Sequence, residues 1–183
     1  MAALTFLLEI FLNLFLSIYL LRFILQMVRA NFRNPIAQAI TRLTNPVVMP
    51  LRKVMPPIGK IDSASLVSCL LVAIICQFIL HSLRMRGLDW LSENFSILLI
   101  GSALLLVFSL IQLYIVLIIF QIILSWIQPT QHSPLTAFLH ELTAPLLTPA
   151  RRLIKPIGGL DLSPALVILI LAAIQVQLAS WFG

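Results

Sequence analysis

The sequence predicts an all-α membrane protein made of two tandem, parallel repeats, each a transmembrane helix, a cytoplasmic loop with interfacial helices and a second transmembrane helix, about four spans in all. The first observation behind this is composition. Of 183 residues, 61% are hydrophobic and 10% charged, and the mean hydropathy is +1.08. A chain so poor in charge cannot dress a water-exposed globular surface. The second is the presence of four apolar runs long enough to cross a bilayer. The third is that the chain matches itself at one constant offset.

The first apolar run, from about residue 4 to 28, holds seventeen Leu, Ile, Phe or Val residues. At about −0.3 to −0.6 kcal/mol each, these outweigh Glu9 and Arg22, at most about +3 kcal/mol apiece, so insertion is favoured. The run has neither a basic leader nor a small-x-small cleavage site and reads as retained rather than as a signal peptide. Further runs cover about 64–83, 95–127 and 164–181. The third would be about 50 Å long as one straight helix, well beyond the roughly 30 Å of a bilayer core. It must tilt, project or break, with Gly101-Ser102 the weak point and a short fifth segment the outcome of a break. Cys69 and Cys76 lie seven residues apart on the second span, too far for a disulfide within one helix, and read as packing residues.

At an offset of 99 residues, Leu43-Thr44-x-Pro46-x3-Pro50-x-Arg52 matches Leu142-Thr143-x-Pro145-x3-Pro149-x-Arg151 without a gap. The register continues through Pro57-Ile58-Gly59-x2-Asp62 against Pro156-Ile157-Gly158-x2-Asp161, and reaches back to Pro35 against Pro134. Nine of the twenty positions from Leu43 to Asp62 are identical. Pro, Gly, Arg, Thr and Asp are among the matches, so shared greasiness does not account for them. The expected organisation is a first repeat over 1–83, a connector over 84–102 and a second repeat over 103–183. Each repeat crosses twice, so both enter the membrane in the same sense.

Nine of the twelve Lys and Arg residues fall in the two long loops: Arg29, Arg33, Arg42, Arg52, Lys53 and Lys60 in one, Arg151, Arg152 and Lys155 in the other. The positive-inside rule then puts both loops in the cytoplasm and both termini outside. Within the second loop, Leu135, Phe138, Leu139 and Leu142 recur at i, i+3, i+4 and i+7, the stripe of an interfacial amphipathic helix; Ile36, Ile40 and Leu43 repeat it more weakly. Beyond the stripes, Pro46, Pro50, Pro56 and Pro57, and Pro145, Pro149 and Pro156, are expected to prevent long regular helix. Asn45-Pro46 and Thr148-Pro149 are then the expected starts of short helices.

Candidate functional residues follow from this layout. The pairs Arg52-Lys53 and Arg151-Arg152 suit anionic lipid head groups or the acidic patch of a partner. Asp62 and Asp161 stand just before apolar spans, where a carboxylate caps the helix; ion or substrate binding is the alternative reading. Glu9, Asn13, Arg22, Gln26, Gln112 and Gln121 lie in or near spans, where polar residues are functional candidates by default. The offset sets Asn13 against Gln112, Arg22 against Gln121 and Gln26 against Ser125, suggesting a polar seam between the repeats. The expected partners are the bilayer and anionic head groups, with another membrane protein complex or a second copy of the chain as further candidates; nucleic acid is not expected. Catalysis, cofactors and metal sites are not expected either. His140-Glu141 lacks the second His of a zinc-protease helix, His81 and His132 stand apart, and no glycine-rich phosphate loop is present.

The doubled pattern Leu-Thr-x-Pro-x3-Pro-x-Arg-[Lys/Arg], followed by Pro-Ile-Gly-x2-Asp, resembles the signature of the YggT (YlmG) family over nearly the whole chain, most closely from Leu142 to Pro164. The departures are Lys155, where the family often has Pro, and Lys60 and Ser65 in the first copy. The resemblance implies a multi-pass protein of the bacterial inner membrane, linked through its relatives to osmotic stress, cell division or envelope organisation. A structural or assembly factor is therefore the leading expectation. A small oligomeric channel or transporter component for ions or osmolytes is the alternative.

Overall fold

Runs of leucine and isoleucine without internal proline favour continuous helix, because straight-chain and γ-branched side chains lose little freedom there. The computed structural model describes residues 2–55, 62–85, 90–127, 133–154 and 161–182. Among the described residues there are six helices and no strand: α1 (Ala2–Met27), α2 (Pro35–Val54), α3 (Ser63–Met85), α4 (Trp90–Ile127), α5 (Pro134–Leu153) and α6 (Ser163–Phe182). Four of them carry segments long and apolar enough to cross a membrane, Ala3–Met27, Ser63–Leu83, Phe95–Ile127 and Ser163–Phe182, within two residues of the sequence-based expectation. The Pro57-Ile58-Gly59 and Pro156-Ile157-Gly158 segments, Pro56, Lys60, His132 and Lys155 lie outside the described residues.

One open alternative is decided and one expectation is overturned. Helix α4 does not break: it runs 38 residues straight through Gly101-Ser102, and the Ser102 hydroxyl donates to the Leu98 carbonyl at 2.7 Å. A lone Gly costs a helix only about 1 kcal/mol against Ala, which the flanking aliphatic run easily absorbs. Nor do the prolines end the loop helices. Pro46 and Pro50 sit inside the 20-residue α2, and Pro145 and Pro149 inside the 20-residue α5. The four-residue spacing puts each pair on one face, and all four rings are exposed. The carbonyls that lose their amide partners, those of residues 42, 46, 141 and 145, therefore fall on the outer side of each helix. The opposite face is buried through Ala37, Ile40, Thr44 and Val48 in α2, and through Phe138, Leu139, Leu142, Thr143, Leu147 and Ala150 in α5. Tertiary burial overrides the local cost.

The helix starts move accordingly. The Asn34 side chain accepts from the Ile36 amide at 2.9 Å ahead of Pro35, and the Ser133 hydroxyl accepts from the Thr136 amide at 3.1 Å ahead of Pro134. These, not Asn45 and Thr148, are the N-caps, each followed by a proline whose missing amide is no loss in the first turn. Two stripe residues also depart from the expected pattern. Leu135 and Leu43 are 42% and 66% exposed, and Thr143 and Thr44 take up the buried stripe instead.

Two compact units divide the chain, one of Met1–Met27 with Ala39–Leu110 and one of Val28–Gln38 with Ile111–Gly183, so that α2 and α4 contribute to both. In the first unit α1 packs along α3. The α3 face is made of small residues, Ala64, Ser65, Ser68, Cys69, Ala73 and Cys76, which admit Leu16, Tyr19, Leu20 and Ile24 of α1. Small residues allow close backbone approach where lipid offers no hydrophobic drive for helix association. The Cys76 thiol lies 3.8 Å from the Leu12 carbonyl, and both cysteines are free and buried. In the second unit α5 packs on α6, around Ile118, Leu147, Ala150 and Val167. The α5 stripe is thus covered by the protein itself. The α1–α2 link also belongs to this unit: Asn34 Nδ2 donates to the Pro134 carbonyl at 2.6 Å, and the Asn31 amide donates to Glu141 Oε2 at 2.8 Å.

Candidate functional site

Arg22 projects from α1 towards α2 and is 2% exposed. A guanidinium so enclosed requires acceptors. Its Nη1 lies 2.9 Å from the Thr41 carbonyl, 2.7 Å from Thr44 Oγ1 and 2.8 Å from Asn45 Oδ1. An NH2 group has two hydrogens, so one is shared between acceptors. Thr44 passes the chain on, its hydroxyl donating to the Ile40 carbonyl at 2.7 Å. The Thr41 carbonyl lies one residue before that of Arg42, which Pro46 deprives of an amide. Arg22 thus fastens α2 at the turn its proline weakens.

In the second unit, 99 residues on, the Thr143 hydroxyl is bonded to the Gln121 carboxamide of α4 and donates to the Leu139 carbonyl at 2.8 Å. The one hydroxyl hydrogen is shared between Gln121 Oε1 and the Leu139 carbonyl, so Gln121 meets α5 where Arg22 meets α2, with the direction of the bond reversed. Both sites set a polar span residue against the threonine of the repeated motif, one charged and one neutral.

A second pair of contacts follows the same offset. Arg52 Nη2 lies 2.5 Å from Asp62 Oδ2, and Arg151 Nε lies 2.8 Å from Asp161 Oδ2. Each ties the last turn of a loop helix to the start of a span. The Asp62 carbonyl accepts the Leu66 amide at 3.1 Å, and Asp161 Oδ1 accepts the Ser163 amide at 3.0 Å, so both residues sit at helix starts. The Asp62 side chain is 10% exposed and that of Asp161 35%. For Asp62, burial works against the charged form, but hydrogen bonds from Arg52 and Ser65, the Arg52 charge and the Gln26 amide outweigh it and hold the carboxyl below its ordinary range. For Asp161, burial is again outweighed, by Arg151 and by hydrogen bonds from Ser163.

The structure therefore joins residues that the sequence presented separately. Arg52 and Arg151 are ion-pair partners of Asp62 and Asp161, while Lys53 and Arg152 remain exposed. Gln26 meets Ser65, whose hydroxyl lies 2.8 Å from both Gln26 Oε1 and Asp62 Oδ2. Ser125 does not repeat that contact; its hydroxyl returns to the Ile122 carbonyl of its own helix at 2.7 Å. Glu9 is half-buried, and Asn13 and Gln112 are exposed. Sequence reasoning passed over Thr44 and Thr143, although both stood in the repeated motif. Arg152 also lines a cleft of about 410 Å³ with Val28, Glu141, Ala144, Pro145, Thr148 and Pro149.

The CCB3/YggT family profile matches residues 1–83 and again residues 100–182. The chain belongs to the CCB3/YggT family. It is 36% identical over 179 residues to the uncharacterized protein YggT of Escherichia coli, covering 98% of this chain and 90% of that one. It is 37% identical over 151 residues to the uncharacterized protein PA0392 of Pseudomonas aeruginosa, covering 82% and 75%, and 37% identical over 138 residues to an uncharacterized Vibrio alginolyticus protein, covering 75% and 72%. No solved structure gives a significant match. The names of these relatives state no activity.

Proposed function

We propose that this CCB3/YggT member is a non-enzymatic structural or assembly factor of the bacterial inner membrane, which offers a duplicated cytoplasmic face to anionic lipid or to another membrane complex. The observation that carries the reading is the clasp used twice, Arg52 on Asp62 and Arg151 on Asp161, each holding an exposed cation, Lys53 or Arg152, beside a span. Two tandem repeats, over about 1–83 and 103–183, account for that recurrence. The polar bonds 99 residues apart and the two family matches support the duplication. Both loops cytoplasmic and both termini outward is the orientation the charge bias favours. A place in osmotic stress tolerance or cell division would follow from stabilising an envelope complex.

The pore alternative draws less support. Arg22, Gln26 and Gln121 are spent on bonds within the units, so they do not line a free path. Photoreactive residues at Met49 and Thr148, both exposed, test the assembly reading by crosslinking in native membranes. Lys53→Gln with Arg152→Gln is the matched variant, because it removes charge and leaves the clasps intact. Capture of one membrane protein that falls away in this variant is the expected result. Equal capture by both forms rejects the proposal.

A further inference from the structure

Asn13 and Gln112 are intramembrane candidates that no contact described above explains. Both side chains are exposed, on α1 and α4 respectively. Asn13 lies ten residues from Ala3 and fourteen from Met27, about 15 and 21 Å along its span. Gln112 lies seventeen residues from Phe95 and fifteen from Ile127, about 26 and 23 Å along its own. Each therefore stands near the middle of a span, about 21 to 23 Å from the end that leads into a loop helix. Phe6 and Ile10, on the face of Asn13, and Ile119 and Ile123, on the face of Gln112, are exposed large hydrophobics, as lipid contact requires.

A primary carboxamide carries two donors and an acceptor, and the acyl chains of a bilayer satisfy neither. Snorkelling is closed to Asn and Gln at this depth, because their side chains reach only a few ångströms. Arg22, Gln26 and Gln121, by contrast, have protein partners. The group that completes a carboxamide best is a second carboxamide, which matches it donor to acceptor in both directions. A second copy inserted in the same sense brings one to the same depth.

We infer that the α1 face bearing Asn13 and the α4 face bearing Gln112 are contact surfaces for a second copy of this chain, joined by carboxamide pairs near the membrane midplane. The inference stands on the exposure and depth of these two residues and does not rest on the assembly reading. It also separates Asn13 and Gln112 from Arg22 and Gln121, which hold loop helices within one chain.

The test uses the full chain with Cys69→Ala and Cys76→Ala, so that the only thiols are those introduced. Asn13→Cys and Gln112→Cys are made singly, as differently tagged chains expressed together, and as a double variant in one chain, then oxidised in native membranes. Disulfide-linked dimers between two single-thiol chains are expected. Phe11→Cys and Val107→Cys, exposed on faces of the same helices turned away from Asn13 and Gln112, give the background of random collision. Association of labelled wild-type chains in lipid bilayers, followed by energy transfer, should weaken about threefold to tenfold for each of Asn13→Leu and Gln112→Leu, a typical range for one interhelical hydrogen bond in a membrane. Linkage confined to the double variant within one chain overturns the inference. So does dimerisation unaffected by both leucines, or a wild-type chain that stays monomeric.

Discussion

Replacing Arg22 separates its two contributions, hydrogen bonding and charge. Arg22→Leu deprives Thr44 Oγ1, Asn45 Oδ1 and the Thr41 carbonyl of their shared donor. Thr44 still donates to Ile40, and the half-buried Asn45 is placed to recover water, so one or two acceptors are left wanting. At about 1–3 kcal/mol for each unsatisfied buried group, and with relief from burying a charge in the other direction, the net loss comes to about 2 kcal/mol. That is roughly a 30-fold change in the unfolding equilibrium. Arg22→Gln keeps an amide donor for Thr44 and should cost under about 1 kcal/mol. Reversible unfolding in mixed detergent and lipid, followed by circular dichroism, gives both numbers. Tryptic cleavage at the exposed Arg42 reports whether α2 has come loose. A glutamine variant as unstable as the leucine variant, or a leucine variant as stable as the wild type, refutes this account.

Further outcomes follow from other contacts. Asp62 and Asp161 have folded pKa values held below the ordinary range, so their contribution is fully present above the unfolded value of about 3.9 and is lost as pH falls through the folded one. Stability measured by thermal unfolding should be level from pH 7 to about 5 and fall below about 4, with Asp62→Asn together with Asp161→Asn flattening the fall. Gly101→Ala should raise the melting temperature slightly, by about 0.5–1 kcal/mol in stability, because the added Cβ meets nothing nearer than Gln77 Nε2 at 3.9 Å. Ala73→Leu, on the small-residue face that α1 covers, should cost about 1–3 kcal/mol or more through overpacking, whereas Ile75→Leu on an exposed face should be nearly neutral.

The spans were legible because hydropathy over 20 residues is a sum that local detail barely alters, and the apolar segments of four helices match it within two residues. The position of Asp62 and Asp161 at helix starts was also legible, since each stands just before an apolar run. Their arginine partners were not. Arg52 and Asp62 lie ten residues apart, a spacing with no local periodicity, and only the return of the chain brings them within 2.5 Å. The proline-bearing helices were misread because the steric argument against interior proline is local, while the burial of Thr44, Val48, Thr143 and Leu147 that overrides it depends on other helices. Thr44 and Thr143 went unnoticed as anchors for the same reason. A small hydroxyl in a motif says nothing of a partner 22 residues away.

The unbroken α4 makes lipid chemistry a variable of this protein's shape. Its apolar part is 33 residues, about 50 Å, whereas a bilayer core accommodates about 20 residues upright. Even a slant of 40°, the upper end of what is usual, brings the vertical extent only to about 38 Å, leaving several ångströms of hydrophobic helix to be shielded by stretched acyl chains or by neighbouring protein. A membrane of longer-chain lipids lessens that demand and one of shorter-chain lipids increases it. Helix α4 is in effect a rod longer than its sleeve, so swelling, thinning or stretching of the surrounding bilayer exerts a torque on it that the shorter α3 and α6, of 23 and 20 residues, largely escape.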